Sequence, residues 1–265
     1  MLKHFMSKRL VHLALGFAVC TTAFAQEPKA EIKLFVAEDK IGEAMKSVEE
    51  GFAKGTPKKH QIYFFDTREL DLAGNTGGPV ILRARQKEGK KPQSTVKFRR
   101  DTRDLDLEKK LIEISSELEI ETETVAGRKG PAGISYALDA KFEKPLSELE
   151  GAANDKIAAW FSSEQKKLLE AAGVKVDWGK LKVFGRIDAD VWQWKENDKR
   201  VDTDVTAELW QLGARQIFEL SCKKPGENLE KQMTNFVAFF KDHNILAVEN
   251  PESKTKQALD YFAHR

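Results

Sequence analysis

Cysteine and histidine are scarce in this chain, and neither is grouped as a redox or metal centre would require. The 265 residues include two cysteines and five histidines. The sequence contains no CxxC, HExxH or GxSxG pattern and no phosphate-binding glycine loop. The enzyme classes that those motifs define are therefore not indicated.

Long apolar runs are also lacking, apart from a short one near the start. A basic opening (Lys3, Lys8 and Arg9) precedes an apolar core at 10–20 and the small-x-small triplet Ala23-Phe24-Ala25. This order is typical of a secretory signal peptide, here residues 1–25. The apolar core is too short for a retained spanning helix. We therefore expect cleavage after Ala25, a secreted or periplasmic protein, and no membrane span in the mature chain.

A large excess of one charge is missing as well. The formal charge is +2, and loss of residues 1–25 removes three cations and no acid, which leaves −1. This balance argues against a general nucleic-acid binder. Only Cys222 remains after cleavage, so no internal disulfide is possible, and we expect a packed thiol there.

The chain does contain three strand-like segments whose charged residues alternate with apolar ones. They are VILRARQK at 80–87, STVKFRR at 94–100 and ELEIETET at 117–124. In the first, Arg83, Arg85 and Lys87 share one face. Like charges on neighbouring strands repel by a few tenths to about 1 kcal/mol per pair. Such rows must therefore face water, opposite charge or a polyanionic ligand.

Two structures satisfy this requirement. The rows are either solvated faces of an open antiparallel sheet, or the lining of a closed sheet with a charged lumen. Three segments of the same design, one of them acidic, favour the closed sheet.

The remaining patterns predict an α+β fold in one domain at 26–265. We expect an eight-stranded antiparallel β-barrel, a tunnel, with helices after strands 1, 5 and 8 and a helical insertion at about 145–173. The predicted strands are 31–36, 60–66, 80–87, 94–100, 117–124, 181–194, 201–212 and 215–223. Residues 101–116 are expected to form a loop or short helix, residues 126–144 an irregular segment, and 228–244 the last long helix.

Several segments resemble, in order, those of the CYTH superfamily, the triphosphate tunnel metalloenzymes. The matching segments are EIKLFV, YFFDT, VILRARQ, STVKFRR, ELEIETE, VFGRID and LGARQIFELSCK, over roughly residues 30–245. This superfamily includes inorganic triphosphatases, thiamine triphosphatases and class IV adenylate cyclases. The resemblance implies an eight-stranded tunnel that binds a small polyanion such as triphosphate or polyphosphate.

The resemblance also implies site residues and a cofactor. Phosphate oxygens would be held by Arg83, Arg85, Lys97, Arg99 and Arg186. Mg²⁺ or Mn²⁺ would be held by Glu31, Glu119, Glu121 and Glu219. Lys33 would act in catalysis, with either it or a lumen carboxylate orienting the attacking water. The expected activity is that of an exported metal-dependent triphosphatase.

Two motifs depart from the family pattern. The first-strand ExExK motif reads Lys29-Ala30-Glu31-Ile32-Lys33, and the last-strand ExE motif reads Glu219-Leu220-Ser221. One acid is missing from each, so a non-catalytic exported binder of polyphosphate or another phosphorylated ligand is an alternative. A nucleotidyl cyclase is a third hypothesis, for which no nucleoside pocket is evident. For every site residue, pairing across the lumen for structural reasons also stays open.

Overall fold

The computed structural model describes residues 28–129 and 133–264, which form a closed β-barrel with helices packed around it. The signal peptide predicted at 1–25 lies outside the described residues. The strands are β1 Lys29–Val36, β2 Lys58–Asp66, β3 Val80–Lys87, β4 Gln93–Arg100, β5 Glu119–Val125, β6 Gly133–Lys141, β7 Lys182–Glu196, β8 Thr203–Leu212 and β9 Arg215–Lys224. The helices are α1 Ile41–Gly51, α2 Leu105–Ile114, α3 Ser163–Ala171, α4 Leu229–Asp242 and α5 Lys254–Ala263.

The barrel order is β1-β5-β6-β4-β3-β2-β7-β8-β9, closing back on β1. All neighbours are antiparallel except β1 and β5, which are parallel with Glu31 opposite Glu123. The expected barrel is confirmed, but the described chain has nine strands and the sheet is mixed. Two details of the prediction, eight strands and a wholly antiparallel sheet, are therefore wrong.

The missed strand is β6, in a segment expected to be irregular because of its glycines and Pro131. It lies between β4 and β5, with Tyr136 opposite Phe98 and Ala137 opposite Lys97. Its outward residue Tyr136 is buried against the outer core. Glycines before a strand do not prevent pairing within it, so the composition of the whole window concealed an ordinary alternating strand.

The apolar side of each charged strand faces outward, under the helices. Leu82 and Phe98 pack with Leu168 of α3 in one buried cluster. Leu34 packs with Phe240 of α4 in another. The charged sides therefore face the lumen, as the closed-sheet interpretation predicts, and solvated open faces are ruled out for these strands. Cys222 is buried, and burial raises its pKa to about 12, which confirms a packed thiol.

The helices agree in part with the sequence prediction. Helices α1 and α4 lie where expected, and α2 occupies the segment expected to be a loop or short helix. The insertion consists of 3-10 segments at Leu146–Leu149 and Asn154–Trp160, followed by α3, which begins with a capping box formed by Ser162 and Gln165. No helix in the described part of the chain is long and apolar enough to cross a membrane.

Helix α5 was not anticipated, and it closes one end of the barrel. Its residues Ala258 and Leu259 pack with Phe35, Phe64 and Ile81 in a buried cluster. Phe35 and Phe64 lie on the lumen side, opposite Glu219 and Arg83 in register. The barrel therefore has an apolar plug at the α5 end and a polar interior beyond it.

Candidate functional site

The polar lumen consists of two cavities that share part of their walls. The main chamber has a volume of about 490 Å³, and the residues that line it include Glu31, Arg85 and Lys223. The α5 chamber, about 360 Å³, lies nearer α5 and is lined by Arg99, Glu123 and Arg128 among others. The two share the following residues: Lys33, Arg83, Thr95, Lys97, Trp210, Glu219 and Lys254.

One wall of the main chamber is a row of cations on β3, which we term the cationic wall: Arg83, Arg85 and Lys87. Arg83 donates from Nη2 to Thr95 Oγ1 at 3.0 Å. Thr95 in turn donates to Asp139 Oδ1 at 2.5 Å. The buried Nε atoms of Arg83 and Arg85 have no hydrogen-bond partner.

Counter-charge is scarce along this wall. Among the described residues, none forms an ion pair with Arg83, Arg85 or Lys87. Burial, and next the neighbouring Arg85, lowers the pKa of Arg83 to about 10. A buried cation without an anionic partner is costly. The wall is therefore suited to an anionic ligand that supplies the missing charge.

The facing wall carries three carboxylates, which we term the carboxylate cluster: Glu31, Glu121 and Glu123. Each offers an oxygen within 4.8 Å of the others. The parallel pairing of β1 with β5 produces this arrangement, because it sets Glu31 directly opposite Glu123. Carboxylate oxygens are hard donors that suit Mg²⁺, Mn²⁺ or Ca²⁺.

Cations surround the carboxylate cluster. Lys33 Nζ lies 2.9 Å from Glu31 and 3.7 Å from Glu123, and Lys223 lies 2.5 Å from Glu121. Glu123 also pairs with Lys97, and with Arg99 at 2.8 Å. Burial raises the pKa of Glu123, but Lys33, Lys97 and Arg99 outweigh it and hold that pKa well below the ordinary value. The same balance, with Lys33 and Lys97 as the main cations, lowers the pKa of Glu31.

Lys33 is a fixed positive charge in this environment. Burial lowers its pKa, but Glu123 and Glu31 outweigh burial and raise the pKa above that of an ordinary lysine. Lys33 is therefore an ammonium donor at any physiological pH and cannot accept a proton.

A second buried group joins β8, β9 and α5. Glu208 lies opposite Glu219 in register, and Lys254 of α5 pairs with both, at 2.8 Å from Glu219. Lys254 Nζ also lies 4.7 Å from the ring centroid of Trp210. Burial raises the pKa of Glu208, but Lys254 outweighs it and lowers the pKa to about 2. Lys254 is therefore a single cation shared by Glu208 and Glu219.

The structure brings most sequence-predicted site residues into the lumen. The main chamber is lined by Glu31, Lys33, Arg83, Arg85, Lys97, Glu119, Glu121 and Glu219, and the α5 chamber by Arg99. Within this set, Glu119 lines the chamber but lies outside the carboxylate cluster, and Glu219 is held by Lys254.

Arg186 requires a correction, because the structure places it on the outer face of the barrel. Its side chain is 44% exposed and donates from Nε to Asp188 at 2.8 Å. The β2–β7 register shifts between Ile62 and Phe64, so Phe184 and Ile187 both fall on the lumen side. The bulge reverses the alternation, which removes Arg186 from the lumen cations.

Several lumen residues were missed by the sequence prediction of the site. They are His60, Lys87, Glu123, Asp139, Glu208, Lys223 and Lys254. Lys87 and Glu123 belong to the charged rows and follow from alternation alone. Glu208 also alternates with Thr206 in TDVTAELWQL. Lys254 has no such signal, because a helix far along the chain carries it into the lumen.

Neither a protein-family model nor a curated protein matches this sequence. Solved structures do match its fold. One is a Hippeastrum protein named as an adenylyl cyclase and said to reveal a dominant triphosphatase activity, with TM-score 0.57 and 15% identity over 86% of this chain and 93% of that one.

Another is a Bacillus halodurans protein named as an adenylate cyclase, with TM-score 0.53 and 16% identity over 87% of this chain and 97% of that one. Both matches cover more than four fifths of this chain, so the chain shares the fold of these two proteins.

Proposed function

We propose that this chain binds a linear triphosphate or polyphosphate in its lumen and hydrolyses it with the help of a divalent metal ion. The observation that carries the proposal is a cationic wall that forms no ion pair with the described residues, facing the carboxylate cluster across the lumen. The triphosphatase activity named for the Hippeastrum protein supports it.

Arg83, Arg85 and Lys97 would hold the phosphate oxygens. Guanidinium groups bind phosphate through two parallel hydrogen bonds, and Lys97 adds a point charge between the wall and the carboxylate cluster. Arg99 is paired with Glu123 at 2.8 Å and would contribute from the α5 chamber.

The carboxylate cluster fits Mg²⁺ or Mn²⁺ by the chemistry of its donors. Glu31, Glu121 and Glu123 would hold the ion, which would offset negative charge on the phosphoryl group being transferred. Glu119 and Glu219 are less suited, since one lies outside the cluster and the other is paired with Lys254.

Lys33 would position the reacting groups and would not remove a proton. As a fixed ammonium it donates hydrogen bonds to a phosphoryl oxygen or to the attacking water. The proton released by that water would pass to a lumen carboxylate, since the neighbouring basic side chains are already protonated.

A non-catalytic binder is the second candidate, and the ion pairs of the carboxylate cluster favour it. Glu123 alone contacts Lys33, Lys97 and Arg99. A metal ion entering there must compete with these cations. Lys29 and Ser221 stand where the two family motifs have an acid, so two possible carboxylate ligands for the ion are missing. Binding and turnover therefore need separate measurements.

The test combines tripolyphosphate binding with phosphate release, each with and without Mg²⁺ or Mn²⁺. We expect wild-type protein to bind and to release phosphate only with metal. Glu121→Gln should abolish release and keep metal-free binding, whereas Glu117→Gln, an exposed residue just before β5, should alter neither. Binding without release under any metal supports the binder, and absence of binding overturns both candidates.

We also propose that the protein is exported and cut after Ala25. The support is the basic opening, apolar core and Ala23-Phe24-Ala25 triplet of the sequence. A mature chain whose mass shows Gln26 at its N-terminus is the expected result, and a mass that retains Met1 contradicts export.

A further inference from the structure

The cationic wall continues beyond Arg85, toward the end of the lumen opposite α5. Lys87 lies on β3 four residues past Arg83, about 13 Å by strand rise. The α5 chamber includes Ile81 and Arg83 of this strand, whereas Arg85 and Lys87 line only the main chamber. Lys87 therefore marks the part of the wall farthest from α5.

His60 joins this end of the wall from the neighbouring strand. On β2 it lies directly opposite Lys87, and Ile62 lies opposite Arg85. Directly opposed side chains have Cβ atoms about 5 Å apart and point to the same face. His60 and Lys87 consequently line the main chamber side by side.

Both residues lack partners in the described part of the chain. Neither the Lys87 nor the His60 side chain forms a hydrogen bond or an ion pair there. His60 is only 7% exposed, and its Nδ1 is buried without a partner. A buried polar group without a partner is uncommon and costly, so the His60 imidazole is suited to a ligand, and the partly buried Lys87 beside it adds a positive charge.

The chemistry of this end indicates a phosphate group and not an aromatic base. Cations and an imidazole converge on it from β2 and β3. Among the described residues lining the main chamber, Trp210 is the one aromatic ring besides His60, and it is 2% exposed beneath Lys254. A base would find no ring face on which to stack.

We propose that Lys87 and His60 form a distal subsite for the far phosphate of a linear inorganic chain of three or more phosphates, which makes the protein selective for chain length. This inference rests on the proposed function. It adds that the reacting end of the chain lies at the carboxylate cluster and the other end at Lys87.

The test compares the affinities of tripolyphosphate and pyrophosphate, without metal, by calorimetry. Lys87→Gln and His60→Gln should each raise the Kd of tripolyphosphate about tenfold, the cost of one charge-assisted contact. The Kd of pyrophosphate, which is one phosphate shorter and on this proposal occupies the positions nearer the carboxylate cluster, should change less than twofold. Lys87→Arg should retain the tripolyphosphate affinity.

Lys59→Gln is the matched control, since Lys59 precedes His60 but is exposed and pairs with Asp190 at 2.5 Å. It should leave both affinities unchanged. Equal losses for both ligands, no loss for either, or tighter binding of ATP than of tripolyphosphate would overturn the distal subsite. Failure of wild-type protein to bind tripolyphosphate overturns the proposed function itself, and the subsite with it.

Discussion

At the residue scale, the alternation of charged and apolar residues identified the lumen cations of β3 but not the residues that they contact. Arg83 and Arg85 were predicted correctly as lumen residues because β3 is a regular strand with a period of two. Arg186 was misplaced because the register shift on β7 reverses the facing of its neighbours. A bulge has no reliable sequence signal, so alternation is only as accurate as the strand is regular.

Arg83 illustrates how a binding residue opposes stability. Its buried cation has no carboxylate partner, and burial with the nearby Arg85 lowers its pKa to about 10. Arg83→Met should therefore raise the free energy of unfolding of the ligand-free protein by about 1–2 kcal/mol. The same change should remove most of the thermal stabilisation by tripolyphosphate.

Urea unfolding and thermal melting, each with and without tripolyphosphate, measure both effects. Arg215→Met, at an exposed arginine, should change neither quantity appreciably. A loss of stability in the ligand-free Arg83→Met protein would show that this cation is structural.

At the element scale, the sequence predicted local elements better than the contacts between them. The helical insertion at about 145–173 and the last long helix at 228–244 were predicted from local patterns, and both elements were found. The parallel pairing of β1 with β5 was not predicted, although it assembles the carboxylate cluster. Which strands become neighbours in a closed sheet depends on the path of the whole chain.

Helix α5 shows the same limitation, because its functional residue is remote in sequence from its partners. Lys254 is 46 residues from Glu208 in the chain, yet it pairs with both Glu208 and Glu219 inside the barrel. Lys254→Met should leave Glu208 and Glu219 without their shared cation inside the barrel and cost about 3–5 kcal/mol of stability. Adding Glu208→Gln should recover part of that loss.

Urea denaturation of the single and double variants measures this coupling. Lys256→Met is the control, since Lys256 lies on the same helix but is 54% exposed with exposed partners, and its loss should cost less than about 1 kcal/mol. Equal effects of the two lysine changes would mean that α5 is not held by its buried ion pairs.

At the scale of the whole molecule, the barrel separates charge that the composition shows only as balanced. A formal charge near zero conceals a cationic wall on β3 and an acidic cluster on β1 and β5. Composition argued against a general nucleic-acid binder but could not indicate this separation, which arises only when the sheet closes. Burial and close charges displace the pKa values of several lumen residues, among them Lys33, His60 and Glu208.

The stability of the protein should therefore fall in two separate steps as pH decreases. Burial lowers the pKa of His60 from 6.5 to about 4; Glu208 opposes this shift, and Arg85 and Lys87 add to it. Below pH 6.5 the unfolded chain binds a proton that folded His60 refuses, so this contribution is present above pH 6.5 and is lost as pH falls toward 4. Glu208, with a pKa of about 2, loses its contribution only below its ordinary value of 4.5.

Urea unfolding at pH 7.5, 6.0 and 5.0 separates the first step from the second. His60→Gln should reduce the loss of stability across this range by roughly 2 kcal/mol, because each unit of pKa shift corresponds to about 1.4 kcal/mol. His264→Gln, at an exposed histidine, should follow the wild-type curve. If the His60→Gln and wild-type curves are parallel, His60 is not the group that makes the tunnel sensitive to mild acid.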